Sequence, residues 1–194
     1  SVVISGANDC FSPQDIEADG SLLRGARYAL LQLEIPMPTT LAGVKAARAA
    51  GLQVILDPAP APRHLPAELL QYVDVLTPNE TEAALLVGRN ASDVSVEDAR
   101  TIAAELQSRG VRQVIIKLGA KGCLLLEGGT ATHVQAPMVK VVDTTGAGDH
   151  FNAAFAVACA EGATRLDACE FAVHAAALSV TRLGGQTSVP TRAE

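Results

Sequence analysis

The sequence predicts an α/β fold, a three-layer αβα arrangement around a mainly parallel sheet, with residues 1–194 forming one domain. Three observations carry this. Short apolar runs alternate with longer Ala-rich segments of helical spacing through the first two-thirds of the chain. That alternation gives parallel strands covered on both faces. Two further helical segments close the chain and add to the cover. Polar or turn-forming positions follow the apolar runs, namely Glu34, Asp57, Asn79 with Glu82, and Gly119. Parallel sheets gather ligands at those strand ends.

Taken in order, residues 1–4 read as a strand and 5–8 turn out of it. Ser12 stands as an N-cap with Pro13 at the first position of a short helix. Residues 28–33 form a buried strand ending at Glu34, and Pro36 and Pro38 break it. Residues 39–50 make an Ala-rich helix stopped by Gly51. The strand over 53–56 ends at Asp57-Pro58. The run Pro58-Ala59-Pro60-Ala61-Pro62 excludes helix and central strand, which leaves a stiff loop. Residues 66–71 give a short helix and 73–76 a strand ended by Thr77-Pro78. Asn79 or Thr77 then caps a helix through Val87. Ser95 caps a helix over 95–109 that Gly110 stops. Residues 113–118 form a strand rich in β-branched residues, 119–122 a turn, and 123–126 a returning strand. Glu127-Gly128-Gly129 is a hairpin turn before a short strand over 131–135. Helices over 147–160 and 165–181 finish the chain, the second ended by Gly184-Gly185.

Apolar residues make up 48% of the chain and aromatics 3%, with no Trp, so Ala, Val and Leu fill the core. The net charge is −6 and no basic block occurs, which argues against nucleic acid as a partner. An anionic ligand therefore needs a local positive site. No apolar run approaches a membrane span and no signal peptide opens the chain. Cys10, Cys123, Cys159 and Cys169 form no C-x-x-C pair and read as buried or half-buried thiols of a reducing compartment. The expected setting is cytoplasmic. No His, Cys or carboxylate spacing suggests zinc, and no nucleophile-elbow motif marks a Ser-His-Asp hydrolase.

The most informative stretch is V-D-T-T-G-A-G-D-H-F-N-A-A-F, from Val142 to Phe155. Gly146 and Gly148 let the backbone of Gly146, Ala147, Gly148 and Asp149 turn N–H groups toward a ligand without an intervening Cβ. The apolar positions that follow have helical spacing, so these residues sit at a helix N-terminus, where free N–H groups attract phosphate. Asp149 stands in the first turn, where a carboxylate takes a proton from an attacking hydroxyl. The plainer alternative is a helix cap with turn-forming glycines. Asn79 and Glu82, three positions apart, share one helical face. They serve either Mg²⁺ and phosphates or a capping arrangement, and the two roles are compatible. The stretch Lys117-Leu118-Gly119-Ala120-Lys121-Gly122 is a tight turn or a place of close nucleotide approach. Lys117 either reaches a phosphate or points to solvent. Glu34 ends a strand as a hydrogen-bond acceptor for sugar hydroxyls or as a solvated strand end. His150 sits beside Asp149, while His64 and His133 read as loop or strand-surface residues.

The string D-T-T-G-A-G-D-x-F resembles the C-terminal signature of the ribokinase-like sugar kinases. T-P-N-E-x-E-A resembles the family's Asn-x-x-Glu motif, and x-L-G-x-x-G its nucleotide segment, where Thr is familiar in place of Lys117. Q-L-E-x-P resembles ribokinases in particular, in which this glutamate contacts ribose. The resemblance implies ATP as phosphoryl donor, Mg²⁺, and a small sugar as substrate, with transfer to the 5-hydroxyl of D-ribose; the alternatives are a kinase of another sugar or of a nucleoside, or a truncated non-catalytic nucleotide-binding fragment. Asp149 would be the base. The N–H groups of Ala147, Gly148 and Asp149 would stabilise the transferring group. It also implies a monovalent cation, K⁺, near the anion site. Asp143 and Ser188 would offer side-chain oxygens to it, and Thr145, Ser179, Arg182 and Gly184 backbone carbonyls. His174 would approach the adenine pocket. Ribokinases carry a further N-terminal portion, with the first strands, a β-sheet lid and a Gly-Gly-Asn sugar grip, which this sequence does not match. The expectation is an exposed sheet edge and nucleotide binding without turnover of ribose by these residues alone. Dimers of the family use that lid.

Overall fold

The structure, a computed structural model, describes residues 4–18, 20–89 and 94–194. A six-stranded sheet runs in chain order: β1 (Tyr28–Leu31), β2 (Gln53–Leu56), β3 (Val75–Leu76), β4 (Gln113–Lys117), β5 (Cys123–Glu127) and β6 (Thr130–Val134). The pairings from β1 to β4 are parallel, and β5 and β6 return antiparallel. The helices are α1 (Pro13–Ala18), α2 (Met37–Ala49), α3 (Ala67–Leu70), α4 (Glu80–Leu86), α5 (Val96–Ser108), α6 (Ala147–Ala160) and α7 (Arg165–Ser179).

Strand side chains alternate between faces with a period of two, which splits the core in two. Val54, Leu56, Leu76, Val114, Ile116 and Leu124 face Val44, Ala47, Ala83, Leu86, Ile102 and Leu106 of α2, α4 and α5. Ile55, Val75, Ile115, Cys123 and Leu125 face Phe151, Phe155, Ala168, Cys169 and Ala172 of α6 and α7. The result is the three-layer αβα arrangement that the alternation of segments predicts. Because β1 to β4 are parallel, their carboxyl ends align on one side of the sheet. Gln32, Asp57, Asn79 and Lys117 lie at or just past those ends.

Local chemistry fixes several boundaries. Asn79, not Thr77, caps α4: its Oδ1 accepts from Glu82 N at 2.9 Å, and Glu82 Oε2 accepts from Asn79 N at 2.8 Å. Ser95 and Asp98 make the same reciprocal box on α5. The strand expected over 28–33 stops at Leu31, because Leu33 N donates instead to Ala59 O at 2.9 Å. The strand expected over 73–76 shortens to Val75–Leu76. Val73 N is drawn to Leu70 O, and the Asp74 carboxylate accepts from Val54 N at 2.8 Å and from Arg48 Nη1 at 2.7 Å. The last helix ends at Ser179 rather than Thr181, where Arg182 N donates to Ser179 O.

The strand expected over 1–4 falls on Ser1, Val2 and Val3, outside the described residues, and on Ile4, which lies in no strand and is exposed. Cys123, Cys159 and Cys169 are buried, but Cys10 is exposed, because its short 3-10 segment (Gly6–Cys10) buries none of its residues. Among the described residues no helix is long and apolar enough to cross a membrane. Among the described residues β1 pairs only with β2, so its other side is an edge, and Leu30 of β1 is 46% exposed.

Candidate active site

The N-terminus of α6 organises the site. Gly146 is its N-cap with φ +76°, a left-handed conformation that glycine adopts without strain. Among the described residues no side chain caps this helix end. The first-turn N–H groups of Gly148 and Asp149 have no helical partner four residues back. The third N–H expected at the anion site behaves differently: Ala147 N donates to Thr144 O at 3.2 Å. Asp149 is exposed, and its Oδ1 accepts from Gln32 Nε2 at 2.6 Å.

Two cavities meet at this helix turn. The larger, about 650 Å³, is bordered by Ala147 and Gly148 on one side and by Asn79, Lys117, Gly119, Ala120 and Gly122 on another. Phe151, Val173, Ala176, Val180, Met138 and Val141 give it an apolar wall. The smaller, about 200 Å³, is bordered by Gln32, Asp57, Asp149 and Asn152 with Leu30, Leu31 and Ile55. Gly148 thus faces the large cavity and its neighbour Asp149 the small one.

Behind the turn, Lys117 Nζ donates to Asp57 Oδ2 at 2.5 Å, and Asn152 Nδ2 donates to the same oxygen at 2.7 Å. Lys117 therefore does not point to open solvent, since Asp57 draws its ammonium inward. Asp57 Oδ1 and Asn152 Oδ1 are buried without a hydrogen-bond partner among the described residues. The half-buried Glu82 carboxyl is raised above the ordinary carboxylate value, first by burial. Asp57 raises it further, while the Asn79 N–H and Lys117 pull it back.

The turn after β4 is held by Leu118 N donating to Gly122 O at 2.7 Å and by His133 Nε2 bonded to Lys121 O at 2.6 Å. Gly122 has φ +91°, and a Cβ there would stand 2.0 Å from Val134 O. Of the six residues expected at the nucleotide, Leu118 and Lys121 do not border the cavity. Leu118 is buried in the core, and the Lys121 ammonium bonds Glu80 at 3.2 Å and Val94 O at 3.0 Å.

Glu34 lies in the bend after β1, exposed, and borders neither cavity. The chain turns away after Leu31, so Gln32 is the residue of that segment at the small cavity. His174 is exposed on α7 and bonds Glu170 O at 2.8 Å, while Val173, Ala176 and Ala177 of that helix face the large cavity instead. His150 is buried, with no partner for Nδ1 among the described residues, and its ring lies 3.4 Å from where a Cβ on Gly146 would stand. His64 is exposed and His133 half-buried.

The segments around Asp143 and Ser188 do come together. Val142 N and Asp143 N donate to Val180 O, and Asp143 Oδ2 accepts from Gly184 N at 2.8 Å. Asp143 Oδ1 accepts from the Thr145 N–H and hydroxyl at 2.9 and 2.7 Å. These bonds, those of Thr145 foremost, hold the Asp143 carboxyl below its ordinary range. Oδ2 thus joins the two segments, while Oδ1 holds its own turn. Ser188 is buried and donates to Gly185 O at 3.3 Å, and Ser179 O accepts from Arg182 N. Among the described residues no three His, Cys, Asp or Glu side chains gather as a metal cluster.

Gln32, Asp57 and Asn152 border the small cavity beside Asp149, and motif reading passes over them. Asp57 and Gln32 carried a signal, since each follows a parallel strand. Asn152 lies three positions after Asp149 and so shares its helical face.

The sequence profile of the pfkB family carbohydrate kinases matches residues 2–192. A ribokinase of Haemophilus influenzae is 37% identical over 193 residues, which cover 100% of this chain and 62% of the relative. A ribokinase of Arabidopsis thaliana is 40% identical over 194 residues, covering 98% of this chain and 51% of the relative. The structure of Arabidopsis thaliana ribokinase complexed with ribose and ATP matches at a TM-score of 0.89 and 39% identity, covering 99% of this chain and 62% of that one. The chain therefore spans 51% to 62% of the length of these proteins. With several motifs in order and the shared three-layer fold, the chain belongs to the pfkB family of carbohydrate kinases.

Proposed function

We propose that this chain carries the phosphoryl-transfer machinery of an ATP-dependent kinase that converts D-ribose to ribose 5-phosphate. One observation carries the reading: a single helix turn presents Gly148 to a large, partly apolar cavity and Asp149 to a small one where Gln32, Asp57 and Asn152 converge. The large cavity suits a nucleotide, with apolar side chains for a base and an uncapped helix end for phosphates. The small cavity suits a sugar, since buried oxygens of Asp57 and Asn152 are unpartnered beside it.

When bound, ATP supplies the phosphoryl group and Mg²⁺ offsets its charge. The residues of the chain then divide the work. Asp149 takes the proton from the 5-hydroxyl, and Gln32 fixes its carboxylate through the 2.6 Å bond. The N–H groups of Gly148 and Asp149 stabilise charge that develops on the transferring group. Asn79 and Glu82 would hold Mg²⁺ through waters. The capping box uses Glu82 Oε2 and leaves Oε1 for that role. A nearby cation also suits a carboxyl that burial otherwise discourages from ionising. A monovalent cation would draw on carbonyls of Thr145, Ser179, Arg182 and Gly184, with Ser188 alongside and Asp143 joining the segments. Glu34, exposed two positions beyond Gln32, is carried as a sugar contact by the family resemblance alone. The proposed setting is cytoplasmic, with small-molecule partners and, by the same resemblance, assembly as a homodimer.

The test is Asp149→Asn, with the chain joined to the N-terminal portion of a ribokinase. Ribose-dependent ADP release should fall by roughly 10²- to 10⁴-fold, the usual weight of a general base. ATP binding should stay intact. Undiminished turnover would remove Asp149 from the mechanism.

A further inference from the structure

Lys117 and Asp57 form an ion pair between the two cavities, with side chains only 13% and 7% exposed. Lys117 borders the large cavity and Asp57 the small one. Burying two charges carries a desolvation cost that pairing often fails to recover, and apolar residues of the same volume usually serve a fold as well. Stability therefore gives no reason for a pair at this place. The helix end does. A Cβ on Gly148 would stand 3.2 Å from Lys117 Nζ and 3.8 Å from Asp57 Oδ2. Gly148 is not among the glycines of positive φ, so the turn does not require glycine there. The missing Cβ leaves room for the ammonium. Of the three N–H donors of that ammonium, Asp57 takes one among the described residues, which leaves donors for a ligand.

We propose that Lys117 binds the phosphoryl group under transfer at the N-terminus of α6, and that Asp57 is the positioning residue that holds it there. The proposal rests on the kinase reading above. The helix end carries partial positive charge, and the ammonium beside it carries a full one. Both act on the same anion, so Lys117 completes an anion site from which the Ala147 N–H is withdrawn. Asp57 neutralises the ammonium while no phosphate is present. Asn152 supports Asp57 from the same helix that bears Asp149. Lys117 should therefore matter to the outer phosphates of a nucleotide and not to its base, ribose or first phosphate.

Calorimetric titration of ATP and of AMP into this chain tests the proposal without relying on turnover. Lys117→Met should weaken ATP binding roughly 10- to 100-fold, the weight of a charge-assisted contact. AMP binding should change less than about 2-fold, well within a minor contact. Lys117→Arg should recover part of the loss. Lys117→Met alone leaves Asp57 buried and unpaired, so the double variant Asp57→Asn with Lys117→Met, which carries no orphan charge, guards against misfolding. It should show the same selective loss with a cooperative melt. Equal losses for ATP and AMP, or unchanged ATP affinity in both variants, would overturn the role of Lys117 and leave the kinase reading standing. A wild-type chain that binds neither nucleotide would overturn the kinase reading and this proposal with it.

Discussion

Asp149 borders the small cavity and Glu82 neither cavity, and the two carboxyls are set differently. Asp149 is exposed and held by Gln32, so Gln32→Ala should lower turnover by loosening the base while leaving nucleotide affinity unchanged. A simultaneous loss of ATP affinity would instead place Gln32 in the donor cavity. Glu82 is half-buried, and burial raises its carboxyl above 4.5. A raised folded value means that the folded state holds the proton more tightly. The contribution of Glu82 to stability is then full below the ordinary carboxylate value and is lost as pH rises through the folded one. Glu82→Gln keeps a capping partner but cannot ionise. In melts without Mg²⁺, the wild type should lose stability relative to this variant as pH rises from 4.5 toward neutrality. Parallel curves would show that Glu82 ionises freely. Asp143 has the opposite sign: bonds from Thr145 and Gly184 lower its carboxyl, so its contribution is lost as pH falls below 3.8.

Among the elements, α4 and the turn after β4 frame the donor cavity. Asn79 caps α4 and borders the cavity at once. Asn79→Ala should cost about 1 kcal/mol, seen as a melting point lower by roughly 2–4 °C for a chain of this size. An unchanged melting point would mean that another group satisfies Glu82 N. Gly122 is the sharper case. A Cβ would meet Val134 O at 2.0 Å and Ala136 N at 2.7 Å, backbone atoms that cannot yield as a side chain would. Gly122→Ala should therefore destabilise by on the order of 3 kcal/mol, and a melt within a degree of wild type would contradict the turn geometry. These elements are largely legible in the sequence, because caps and turn glycines act over three or four residues. The spacing predicts a helix over 147–160, and α6 runs Ala147–Ala160. Misjudged bounds have non-local causes. The strand expected over 28–33 ends where Leu33 N donates to Ala59 O in the loop after β2.

At the scale of the whole molecule, the four parallel strands of the mixed sheet bring their ends to one side, and α6 packs on one face of that sheet. That is why residues far apart in sequence share the site. Gly148 and Asp149 are legible because both stand in one local motif. The bond from Gln32 to Asp149 spans 117 positions and the Lys117–Asp57 pair 60, and no local spacing encodes such contacts. Glu34 rests on the motif alone: it borders neither cavity, while Gln32, two positions earlier, lines the small one. The central claim is that the two cavities are donor and acceptor sites served by one carboxylate. The most direct measurement follows transfer from ATP to D-ribose, with Mg²⁺ and K⁺, by this chain joined to a ribokinase N-terminal portion, in wild-type and Asp149→Asn forms. The account predicts ribose 5-phosphate from the wild type and almost none from the variant, with ATP bound by both. Equal product from both would contradict it, as would ATP bound by both with no product from either.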